Sequence, residues 1–206
     1  NQAKQRIKAH SGHIERIINT VQSLSTTRAT DFEKQSLGMW ISEVVNTLSP
    51  RLLSNIKVEL KVSRNALDVY MDSHQLRQAI SNLLENAAYY AKEKSSEFAR
   101  VTILVGRSKT NKQAIIEIQD NGYGVGLDDL DHIFEPFYSS ESNKPGLGLY
   151  LAKQFCEMNM ARLDYVAAQE GARFRITFPS LIQVEKQLKK KEDFNLRSKT
   201  KEAFAA

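Results

Sequence analysis

The stretch from Asp72 to Lys92, DSHQLRQAISNLLENAAYYAK, constrains this chain more than any other. Asp72 reads as an N-cap, and the residues after it carry a helical period. Leu76, Ile80, Leu83 and Ala87 recur at steps of three and four, which makes one apolar face for a core. A second stripe, Asn82, Asn86 and Tyr90, runs along the same helix at steps of four. Each carboxamide offers a carbonyl oxygen and two N–H donors. A hard cation such as magnesium takes oxygen ligands and needs only one or two protein groups when phosphates supply the rest. On a helix standing alone these would be ordinary polar positions, so their meaning depends on what else the chain carries.

The rest of the chain supplies a partner layer for that helix. Residues 1–29 are expected to form one long bundle helix, with Ile7, His10, Ile14, Ile17, Val21 and Leu24 as its seam. Such a seam needs a second helix, so we expect a homodimer through the bundle helices or a missing upstream helix. Residues 30–37, in a stretch rich in Ser, Thr and Asp, read as a linker. A helix follows from Met39 to about Ser54, which Pro50 either kinks or ends near Ser49. Lys57–Val62, Leu67–Met71, Arg100–Arg107, Ala114–Gln119, Leu163–Ala167 and Arg173–Phe178 read as strands, and Leu147–Met158 as a helix. The expected fold is α+β: a two-layer α/β sandwich with a mixed sheet of about five strands and three helices on one face. Its domain spans residues 38–180, and a basic tail, flexible or helical, fills 181–206.

Several function classes recede. No run of eighteen apolar residues occurs, so no membrane contact is expected of this stretch. The one cysteine, Cys156, excludes an internal disulfide and a cysteine-based zinc site. The net charge of +5 has +3 in the tail, where seven Lys or Arg face four acids from Leu181 onward. A basic tail alone does not specify a partner, and no nucleic acid is expected.

Five of the nine glycines, at 122, 124, 126, 146 and 148, fall close together. Asp120-Asn121-Gly122-Tyr123-Gly124 follows a strand. Its plain reading is a turn. Its functional reading is a carboxylate that accepts from an exocyclic amine such as that of adenine, beside glycines that let the backbone pass close to the base. Gly146-Leu147-Gly148-Leu149 opens a helix, where backbone N–H groups and the macrodipole make an anion site. Between them runs a loop from Gly126 to Pro145, long enough to be functional. Within it Phe134-Glu135-Pro136-Phe137 reads as a hydrophobic latch.

Taken in order, these motifs resemble the ATP-binding domain of sensor histidine kinases, in the superfamily that includes gyrase and MutL ATPases. NLLENA resembles the N box, DNGYGV the first glycine box, FEPFY the F box and PGLGLYLAK the second glycine box. The run GLGLYLAKQFCEMNMARLDY with RFRITFP looks most like PilS-type kinases, which control type IV pilus genes. The resemblance implies a two-component signal-transduction enzyme that binds ATP and Mg2+ and transfers the γ-phosphoryl group to a histidine. A response regulator aspartate receives it next. The resemblance assigns magnesium to Asn86, the phosphate end to Asn82, the neighbourhood of the adenine to Tyr90 and its amine to Asp120. Gly122 and Gly124 would shape the base pocket, and Gly146, Leu147, Gly148 and Leu149 would cap the phosphates. It also implies a cytoplasmic domain whose parent kinase is anchored in the inner membrane.

Three departures, and one contrast with the hydrolysing relatives, accompany the likeness. The family's phosphate-binding Lys or Arg, three residues after the metal-binding Asn, is Tyr89 here; Lys92 is the nearest substitute on the helix. The second glycine box begins Lys144-Pro145-Gly146, where proline removes an N–H and Lys144 returns a charge. Asn82 stands where hydrolysing relatives place a Glu base, and Glu85 is the remaining acid–base candidate. None of the four histidines, His10, His13, His74 and His132, is followed by an acid with Pro five residues on, so the phosphoacceptor is expected to precede this stretch. Two rival readings stand beside the kinase: a weak nucleotide-binding module acting as regulator phosphatase or scaffold, and a hydrolysing clamp of the gyrase or MutL kind.

Overall fold

A computed structural model describes residues 30–64, 67–110, 113–139, 141 and 144–190. The long bundle helix expected over 1–29, with His10 and His13, lies outside the described residues, as do residues 191–206 of the tail. In chain order the elements are β1 (Glu33–Ser36), α1 (Leu37–Leu52), β2 (Lys57–Val62), β3 (Asp68–Met71), α2 (Ser73–Lys94), β4 (Arg100–Arg107), β5 (Ala114–Asp120), α3 (Gly148–Met158), β6 (Arg162–Tyr165) and β7 (Arg173–Thr177). A last helix, α4, covers 181–190.

Five strands form one mixed sheet in the order β2-β4-β5-β7-β6. Only β2 and β4 pair in parallel in it, through a crossover that carries β3 and α2; the other neighbours are antiparallel. Alternation sorts the residues onto two faces. Val101, Ile103 and Val105, Ile116 and Ile118, Phe174 and Ile176, and Leu163 turn inward and join the core with α1, α2 and α3. Outward positions pair charges instead, as where Arg175 Nε donates to Glu117 Oε1 at 2.6 Å across β7 and β5. The expected α+β sandwich is the observed fold.

On α2 the apolar stripe performs as its spacing implies. Leu76, Ile80, Leu83 and Leu84 are all but fully buried, each contributing about 1.5–3 kcal/mol relative to exposure. Asp72 is indeed the N-cap: its side chain accepts from the His74 and Gln75 N–H groups. Its other oxygen accepts from Asp31 N–H at 3.1 Å, and its own N–H donates to Asn159 Oδ1 at 2.6 Å. One carboxylate residue therefore joins the incoming chain, the start of α2 and the end of α3.

One expectation needs correction, and one open alternative is resolved. The stretch read as a linker over 30–37 contains β1, which pairs antiparallel with β3 in a small second sheet. Its sequence, EKQS, has no strand-forming side chain, and the pairing rests on backbone hydrogen bonds to a partner whose Val69 and Met71 are buried. Pro50, for its part, does not end α1. The helix runs on to Leu52, where Leu53 N–H bonds to Ser49 O at 2.9 Å and the Leu53 side chain is buried. In the tail, α4 is anchored by Val184, which is 1% exposed.

Candidate functional site

The four motif segments meet in one cavity of about 930 Å³, between α2, the C-terminal end of β5, the following loop and the N-terminus of α3. The Asn82–Asn86–Tyr90 stripe lines it along α2, with Glu85 and Tyr89 beside them. Asp120 and Gly124 come from the first glycine box, and Lys144 through Leu149 from the second. Spans more than sixty residues apart in sequence thus share one wall and roof.

Asp120 sits at the end of β5 and is 4% exposed. Its Oδ1 accepts from Gly122 N–H at 2.8 Å and from Ala172 N–H at 3.1 Å. Among the described residues Oδ2 has no protein donor. Burial pushes the carboxyl pKa up, against the pull of those N–H groups. The result is a buried, oriented acceptor on the cavity wall, suited to an amine donor.

Gly122 does not line the cavity. It stands behind Asp120, where an added Cβ would come 2.8 Å from Tyr90 O. Gly171, which sequence reasoning passed over, is held more tightly. Its φ is +67°, and a Cβ there would lie 1.9 Å from Asp120 O. Among scattered glycines nothing local marks it, because its constraint is a contact fifty residues away.

At the other end, Leu147 caps α3 without a side-chain hydrogen bond. The first N–H groups of that helix therefore lack an intrahelical acceptor and border the cavity. Gly148 approaches Asn86, with a Cβ position 3.4 Å from its Nδ2. Asn86 and the amide cradle are thus neighbours, as an anion bridged by a cation would require. The described residues hold no cluster of three His, Cys, Asp or Glu able to bind a metal. A cation here would rely on Asn86 oxygen and on ligands brought by phosphates.

Other expected residues fall differently. Lys92 does not line the cavity, since six residues beyond Asn86 is about 240° round the helix. Lys144 does line it, with Nζ 3.0 Å from the Tyr89 ring centre. Burial lowers its pKa to about 8, while Glu141 and Glu93 favour the cation. Glu85 is solvent-exposed at the rim and accepts from Ser81 Oγ at 3.3 Å. Of the expected latch, Phe134 packs edge-on against Phe174 and Ile133 is buried, but Phe137 is 64% exposed with φ +66°. Tyr138 OH donates to Asp129, tying the loop to its own first turn. Beyond Asn82 the cavity continues along Gln78, Gln75 and His74 to Asp72.

This fold and this constellation define a nucleotide-binding ATPase class. The chain belongs to the family of histidine kinase-, DNA gyrase B- and HSP90-like ATPases, whose model matches residues 71–182. Among curated relatives it is 34% identical over 173 residues to the sensor protein kinase PilS of Pseudomonas aeruginosa, a match covering 84% of this chain and 32% of that protein. The mycobacterial sensor histidine kinase MprB is 28% identical with a TM-score of 0.59, over 72% of this chain and 97% of that structure. Histidine kinase ThkA in complex with its response regulator TrrA superposes with a TM-score of 0.68 at 19% identity, over 84% of this chain and 49% of that one. The domain is of the sensor-histidine-kinase type, and its PilS likeness is as the second glycine box led us to expect. The chain spans a third or less of the first curated relatives it matches. Among the described residues no helix is long and apolar enough to cross a membrane.

Proposed function

We propose that this domain binds Mg·ATP and donates the γ-phosphoryl group to a protein histidine, from which a response regulator aspartate is charged. The observation that carries the reading is the convergence of Asn82, Asn86, Asp120 and the Gly146–Leu149 turn on one cavity. Asp120 orients the base through its amine, and Tyr90 flanks it. Backbone N–H groups at the start of α3 face the phosphates, with Asn82 at the far end of the chain of phosphates. Magnesium, when bound, neutralises phosphate charge, and Asn86 is the side chain that would hold it.

Transfer of this kind asks for positioning and charge neutralisation, and a base in this domain is not needed. Asn82 cannot serve as one, and Glu85 stands at the solvent-exposed rim. This favours transfer to a histidine over hydrolysis by water, and separates the reading from a gyrase-like clamp. None of the four histidines matches the family's acceptor pattern, so the reading takes the acceptor to be a histidine other than these four. Dimerisation through the bundle helices, a parent kinase anchored in the inner membrane with this domain on the cytoplasmic side, and control of type IV pilus genes complete the proposal.

The test is calorimetric titration of ADP and a non-hydrolysable ATP analogue, with and without magnesium, on this chain and on Asn86→Ala. Binding that requires magnesium and is lost in Asn86→Ala is expected. A folded chain that binds neither nucleotide would refute it, and steady ATP hydrolysis without any histidine acceptor would favour the clamp.

A further inference from the structure

The cavity is bordered by a lysine that has no carboxylate within ion-pair distance among the described residues. Lys144 Nζ instead faces two rings, 3.0 Å from the centre of Tyr89 and 4.4 Å from that of Tyr90. The rings themselves meet edge to face, 5.2 Å apart at 88°. The backbone just beyond the lysine is closely fitted. Gly146 has φ +65°, and a Cβ there would lie 2.4 Å from Tyr138 O. Two residues later Gly148 abuts Asn86. Lys144 thus lines the same cavity as Gly146, Leu147 and Gly148, immediately before Pro145, which contributes no N–H.

A ring face is a weaker partner for an ammonium than a phosphate oxygen. Burial draws the pKa of Lys144 to about 8 while Glu141 and Glu93 oppose it, so the group is a partly dehydrated cation at neutral pH. An arriving polyphosphate would meet it without the full cost of stripping its water.

We propose that Lys144 has two stations, the Tyr89 ring when the site is empty and phosphate oxygens when it is filled, and so selects nucleotides by phosphate charge. This rests on the nucleotide reading above and adds a specificity residue to it. Tyr89, where the family carries a fixed cation on the helix, becomes the resting place of a cation supplied from the loop.

Titration calorimetry of the 206-residue chain in magnesium buffer, with adenosine, ADP and a non-hydrolysable ATP analogue, tests it. Lys144→Met should weaken the analogue by about tenfold or more, ADP less, and leave adenosine within about twofold. Lys144→Arg should restore the order of affinities. Tyr89→Leu should tighten the analogue by about threefold, because the ring no longer competes. Equal losses for all three ligands in Lys144→Met, no loss at all, or weaker analogue binding in Tyr89→Leu would overturn the two-station assignment. Retained adenosine binding shows that a variant is folded. A wild-type chain that binds none of the three ligands would remove the nucleotide reading first, and this inference with it.

Discussion

Gly171 and Asp120 touch backbone to backbone: a Cβ on residue 171 would sit 1.9 Å from the Asp120 carbonyl oxygen. The same approach lets Ala172 N–H reach Asp120 Oδ1, so the fold and the acceptor of the site depend on one missing side chain. Gly171→Ala should therefore destabilise the domain by about 2–4 kcal/mol, from positive φ and displaced backbone together. Urea unfolding measures it. A change under about 0.5 kcal/mol would mean that the loop relaxes freely.

Asp120→Asn should separate stability from binding. Because burial raises the folded pKa, the ionised carboxylate is costlier in the native state than in the unfolded chain. Its contribution is full below the ordinary carboxyl range and is lost as pH rises through the raised folded value. At pH 7 the neutral isostere should be the more stable protein, while nucleotide affinity falls by about tenfold or more. Thermal melting at pH 7 and at pH 4, beside calorimetry, reads both; a less stable variant at pH 7 would contradict the assignment.

Asn159 is fully buried and holds Asp72 N–H, Gln75 Oε1 and Phe155 O. Asn159→Ala leaves the first two without partners and opens a small void, so a loss of about 2–3 kcal/mol is expected in chemical denaturation. Asn159→Asp should be as harmful, because Gln75 Oε1 would then face a carboxylate.

Cys156 is fully buried, and burial pushes its thiol far up. A thiol reagent at neutral pH should modify it only as fast as the domain opens, with a large acceleration in urea. Prompt stoichiometric reaction of the native chain would show that α3 is looser than its packing implies.

Much of this was legible in advance because it repeats locally. The stripe on α2, the alternation in Lys57–Val62 and Arg100–Arg107, and the glycines that open α3 each declare themselves within one or two turns of chain. What stayed hidden depends on contacts between distant segments. β1 forms from EKQS only because β3 offers an edge, and Gly171 matters only through Asp120. Of the two candidate cations that the sequence offers, Lys92 is turned away from the cavity by the helical period, whereas Lys144 on the loop lines it. At Pro50 the sequence leaves two outcomes open, and buried Leu53 with the Ser49 carbonyl carries the helix past it.

Asp72 also has a mechanical meaning. Its carboxylate fastens the arriving chain at Asp31 to the first turn of α2, and its own backbone N–H donates to Asn159 at the end of α3. The 22 residues of α2 make a rod about 33 Å long, with Asn82 and Asn86 near its middle. A pull on the chain at Asp31 would be borne by the end of that rod, and a ligand on Asn86, as proposed, would bear on its shaft. Upstream force and site occupancy would then be loads on a single stiff member.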